Sequence, residues 1–136
     1  MSNETQTDYM FLFRGNDWHK GLSPEQIQNI VGQMMTWFKG LTEQGIVTAG
    51  QPLAPEGKLV SGKNGRVVAD GPFAESKEAI GGYFLLHADS LDEAVTLAKQ
   101  CPILAYGAVV EVRPVCEQCP HSKEALHESA LAGAMA

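Results

Sequence analysis

The chain has 136 residues, 44% of them hydrophobic and 19% charged, enough for one apolar core, too short for two domains and too apolar for a disordered chain. Ten Lys and Arg against sixteen Asp and Glu give a net charge of −6, and the basic residues are scattered, so no nucleic-acid partner is expected. No apolar run approaches the ~20 residues that cross a bilayer, the polar start over residues 1–8 is neither a signal nor a transit peptide, and three cysteines make no disulfide framework. The expected setting is the cytoplasm, away from membranes.

Tyr9-Met10-Phe11-Leu12-Phe13-Arg14 reads as a strand that is apolar on both faces except at its Arg14 end, which places it centrally in a covered sheet. A polar loop over residues 15–22, holding Trp18 and His19, follows. Ser23-Pro24-Glu25-Gln26 starts a helix: Ser23 caps, Pro24 has its φ preset, and Gln26 completes a capping box. Ile27, Ile30, Val31, Met34, Phe38 and Leu41 then form an apolar stripe that Gly45 ends. Residues 46–53 read as a second strand, stopped by Pro52 and Pro55.

Residues 58–61 and 66–69 flank Gly62-Lys63-Asn64-Gly65, whose Asn-Gly pair suits a tight turn, so this is a β-hairpin that runs straight into Asp70-Gly71-Pro72-Phe73. Residues 79–88 form another strand. Ser90-Leu91-Asp92-Glu93 is a second capping box, with Leu91, Ala94, Val95, Ala98 and Cys101 as the stripe of a short helix before Pro102. Residues 107–115 form the last strand, with Val110 and Val112 on one face and Glu111 and Arg113 on the other.

The order is β-α-β, a hairpin, then β-α-β. With right-handed crossovers this gives an α+β, ferredoxin-like fold: a four-stranded antiparallel sheet with both helices on one face. Two helices cover only one face, yet two strands are apolar on both, so the open face predicts a homodimer with two sheets packed together. Residues 1–7 are expected to form a flexible N-terminus, residues 8–115 the domain, and residues 116–136 a polar, Ala-rich tail, with a helix from about Ser122.

Several blocks occur in an order that resembles one family. They are the opening strand, Gly50-Gln51-Pro52-Leu53, Asp70-Gly71-Pro72-Phe73-Ala74-Glu75-Ser76-Lys77-Glu78 with Gly81-Gly82-Tyr83, Ser90-Leu91-Asp92-Glu93-Ala94, and Glu111-Val112-Arg113-Pro114-Val115. Over roughly residues 8–115 the chain resembles the YCII-related family in its DGPF-motif branch. The resemblance implies a ferredoxin-like subunit of a dimeric α/β barrel. The wider group includes small enzymes of aromatic-compound breakdown, for which a His–Asp pair in a cleft has been proposed as acid and base. That pair does not carry over. Where those relatives have a His near the start of the first helix, this chain has Pro24-Glu25-Gln26-Ile27, and Cys101 stands where they have an Asp before Pro102.

Asp70 has two readings: a turn residue stiffened by Pro72, which is the commoner use of Asp-Gly-Pro, or a carboxylate aimed into a cleft near the dimer interface to move a proton. Phe73 anchors that segment by packing. Glu75, Lys77 and Glu78 read as a solvated run, in which Lys77 can also bind an anion. Arg14 either grips a carboxylate or phosphate through its planar fork or pairs with Glu111 across the sheet. His87, of the residue type that titrates near neutral pH, is either a general base or a hydrogen-bonded strand-end residue. Trp18 and His19 either wall a pocket or cover the core edge. Cys116, Cys119 and His121 resemble a zinc half-site, but a closed site needs four ligands and only His127 is near, so no metal is expected.

No Gly-rich phosphate loop, nucleophile elbow or haem-attachment motif occurs, and no cofactor is expected. Two functions follow. One is a small-molecule acid–base enzyme, isomerase- or lyase-like, with Asp70 and His87 catalytic and Arg14, Trp18, His19, Phe73 and Lys77 binding an anionic or aromatic metabolite. The other is a non-catalytic module that binds a metabolite or a partner protein through the same cleft. A pair of titratable groups within hydrogen-bond reach separates them.

Overall fold

The computed structural model describes residues 7–15, 17–71 and 79–117. The first strand, β1 (Thr7–Arg14), alternates buried Tyr9, Phe11 and Phe13 with half-buried Asp8, Met10, Leu12 and Arg14. Helix α1 (Pro24–Glu43) starts on the expected capping box: Ser23 Oγ accepts the Gln26 N–H at 3.1 Å, and Gln26 Oε1 accepts the Ser23 N–H at 2.8 Å. It ends before Gly45, which takes φ +77°.

Strand β2 (Val47–Pro52) leads to a hairpin of β3 (Lys58–Ser61) and β4 (Val67–Asp70). Asn64 and Gly65 adopt φ 61° and 69° in its turn, as an Asn-Gly hairpin requires. Strand β5 (Ile80–Ala88) then runs through the centre of the sheet, followed by α2 (Leu91–Ala98) and β6 (Val109–Pro114). Two details of α2 depart from expectation. Glu93 accepts from the Asp89 N–H at 2.7 Å rather than from Ser90, and the helix stops at Ala98, so that Cys101 opens the 3-10 turn Pro102–Tyr106. Pro102, which fixes the backbone at the start of that turn, sets the limit.

The main sheet has the order β2-β5-β1-β6, antiparallel throughout. With both helices on one side, this is the ferredoxin-like arrangement, and the doubly apolar β1 and β5 are its two central strands. The core lies between sheet and helices. Phe11 and Leu86 are completely buried there, and Ile30, Leu41, Ala94 and Ala98 meet them from the helices. Phe13 and Phe84 pack edge to face at 4.9 Å, with Trp37 and Phe38 of α1 5.2 and 5.1 Å from Phe84. Gly50 leaves room for these rings: a Cβ there would lie 2.8 Å from Phe84 and 2.9 Å from Phe38.

Among the described residues, no helix covers the opposite face. Met10 stands across from Leu85 and Leu12 from Tyr83, all half-buried. The β3–β4 hairpin forms a separate two-stranded sheet whose residues are all exposed.

Candidate functional site

Antiparallel pairing of β1 with β5 sets Asp8 directly across from His87. Both side chains belong to the helix-free face, because they alternate with the buried Tyr9 and with Leu86 and Ala88. His87 Nδ1 and Asp8 Oδ1 are 2.5 Å apart, with about 40–50% of each side chain exposed. The next pair along the same face is Met10–Leu85, so Asp8 and His87 border an apolar floor. A carboxylate on Nδ1 orients the ring and leaves Nε2 for another partner.

Arg14 lies at the other end of β1. Its Nε and Nη2 meet Glu111 Oε1 at 2.7 and 2.5 Å, and the second Glu111 oxygen is 3.8 Å from Arg113 Nε. Arg14 thus forms the cross-sheet pair with Glu111. Asp8 and Arg14 are six positions apart on β1, about 20 Å along an extended strand. Within one chain, therefore, Arg14 and His87 do not grip the same small molecule.

Trp18 follows at the Arg14 end, half-buried against the core, with its ring 5.7 Å from that of the exposed His19. Asp70 ends β4, on the hairpin rather than on the main sheet. It pairs with Lys58 of β3, directly opposite, at 2.5 Å, and both side chains are largely exposed. Gly71 next to it is buried, takes φ +147°, and donates its N–H to the Gly57 carbonyl at 3.2 Å, closing the neck of the hairpin. Phe73 and Lys77 lie outside the described residues, as do Cys119, His121 and His127.

Among the described residues no cluster of three or more His, Cys, Asp or Glu is placed to hold a metal. Cys116 is exposed. Cys101 is buried, 3.9 Å from the Met34 sulfur, and burial raises its thiol pKa against weaker opposing bonds from the Ile103 and Leu104 backbone. A shallow groove of about 480 Å³ runs along the outer side of α1, lined by Met35, Thr36, Phe38, Lys39, Thr42 and Glu43. None of the residues predicted from the sequence lines it. No helix among the described residues is long and apolar enough to cross a membrane.

Sequence reasoning missed Asp8, which it left within the polar start of the chain. The signal was available in the strand register: placing the apolar centres together, Phe11 opposite Phe84, puts Asp8 opposite His87.

The family model of the YCII-related domain matches residues 7–118. An uncharacterized protein of Rhizobium meliloti (strain 1021) is 52% identical over 33 residues, 24% of this chain. The chain matches about a quarter (27%) of that curated relative's length.

Proposed function

The chain belongs to the YCII-related domain family, and we propose that it is a small-molecule acid–base enzyme, isomerase- or lyase-like, that works as a homodimer with its cleft against the helix-free face of the sheet. The Asp8–His87 pair carries this reading. With Asp8 holding Nδ1, the His87 Nε2 takes a proton from the substrate, and the carboxylate steadies the imidazolium that forms. Returned to a different atom, the proton completes an isomerisation; kept while a leaving group departs, it completes an elimination.

The substrate class follows from the surroundings. Met10, Leu12, Tyr83 and Leu85 offer an apolar floor for the body of an aromatic or carboxylic metabolite, and a second sheet closing over it excludes water. In this proposal Asp70 is a turn residue whose charge is matched by Lys58, and Arg14 with Glu111 fixes the distal end of the face.

A second reading, a non-catalytic metabolite-binding or interaction module, has the solvent exposure of the Asp8–His87 pair on its side. One experiment decides between them. Thermal-shift screening of the full chain against aromatic and carboxylic metabolites selects binders. Deuterium uptake from D2O at the carbon next to their carbonyl groups is then followed by NMR. The enzyme reading predicts uptake that falls about 100-fold or more in His87→Gln and by a smaller factor in Asp8→Asn, with the thermal shift retained. Uptake that survives His87→Gln contradicts it. Binding without uptake in the wild type gives the module instead.

A further inference from the structure

The β3–β4 hairpin stands apart from the core. Among the described residues its strands pair only with each other, and all eight of their residues are exposed. Five of the eight are nonetheless aliphatic: Ala69, with Leu59, Val60, Val67 and Val68, these four 52–65% exposed. The register sets Val60 and Val68 on one face, beyond the Lys58–Asp70 pair, and Leu59, Val67 and Ala69 on the other. Two-stranded hairpins are marginal in water on their own. Aliphatic side chains on both faces of one mark a contact surface.

Position and charge indicate the occupant. The hairpin leaves the sheet where the Leu53 N–H meets the Gly81 carbonyl at 2.8 Å, beside the Leu12–Tyr83 end of the helix-free face. Lys58, Lys63 and Arg66 against Asp70 alone make it net +2, so the chain total of −6 leaves −8 for everything outside it. A basic arm on an acidic body attracts another body of the same kind.

We propose that the hairpin is an arm that grips a second copy of this chain, the two arms being exchanged about a two-fold axis. The inference rests on the homodimer proposed above: a copy seated on the helix-free face lies beside the root of the arm. Four residues per strand let the arm reach about 13 Å along that copy's flank. The partner covers Val60 and Val68, and Lys63 and Arg66 meet its acidic surface. Such a contact is isologous, so each copy both gives and receives an arm.

Sedimentation equilibrium of the full chain at low salt and at about 0.5 M NaCl tests this. Val60→Thr/Val68→Thr keeps the β-branched shape, and Lys63→Glu/Arg66→Glu reverses the charge of the tip. Neither touches the main core, so an unchanged melting midpoint at high dilution checks the fold. Each double variant is expected to raise the dimer dissociation constant at least about tenfold, the charge effect shrinking in high salt. If Leu12→Lys on the sheet face dissociates the dimer while both arm variants leave it unchanged, the arm proposal is overturned and the homodimer stands. A wild-type chain that stays monomeric at micromolar concentration overturns the homodimer and the arm with it.

Discussion

Asp70 and Asp8 each meet one basic side chain, at 2.5 Å in both cases, and their surroundings separate them. Asp70 and Lys58 hold the base of a hairpin whose residues all face solvent, where water screens the pair. Asp70→Asn is expected to cost no more than about 1 kcal/mol in urea denaturation. It should also leave deuterium uptake unchanged; a large loss of uptake would restore Asp70 to the catalytic machinery. Cys101 makes a different residue-level prediction. Burial raises its thiol pKa, so the folded chain keeps the proton to higher pH than the unfolded chain does. Below about pH 8.5 both states are protonated and the thiol adds no pH dependence. Above it the unfolded chain ionises first, and stability falls with rising pH until the folded thiol ionises too. Melting midpoints measured from pH 7 to 10 should therefore drop more steeply in the wild type than in Cys101→Ala. Parallel curves would contradict this.

At the scale of elements, much was legible in the sequence because local chemistry set it. Ser23 and Gln26 announced the start of α1, Gly45 its end, and Asn64-Gly65 the hairpin turn, each through a backbone requirement that few residues meet. The end of α2 was less legible, because Cys101 continues the apolar stripe while Pro102 draws the backbone into a 3-10 turn. Long-range pairing was the least legible. Asp8 and His87 are far apart in the chain and meet only through the β1–β5 register, just as Lys58 meets Asp70 only once the hairpin closes. Gly50 shows what such pairing demands of a single position. It sits on β2 where α1 presses Phe38 and Trp37 onto Phe84, and a methyl group there would lie under 3 Å from two rings. Gly50→Ala is expected to destabilise the chain by about 1–3 kcal/mol, measured by chemical denaturation. A neutral effect would mean that α1 shifts freely on the sheet.

For the whole molecule, the decisive feature is a sheet with one face under helices and, among the described residues, no helix on the other. The apolar residues on both faces of β1 signalled a central strand, and the strand order β2-β5-β1-β6 agrees. Together β1 and β5 leave Met10, Leu12, Tyr83 and Leu85 on a face that no helix among the described residues covers, bordered by Asp8–His87 at one end and Arg14–Glu111 at the other. The proposed chemistry, the proposed dimer and the proposed arm all depend on that face being the working surface. Sedimentation velocity of the wild type and of Leu12→Lys at micromolar concentration tests this most directly. A wild-type species at twice the chain mass and a folded Leu12→Lys monomer are expected, since a charge buried in the apolar centre of the interface has no partner. A monomeric wild type, or a Leu12→Lys chain that dimerises as well as the wild type, would contradict that expectation.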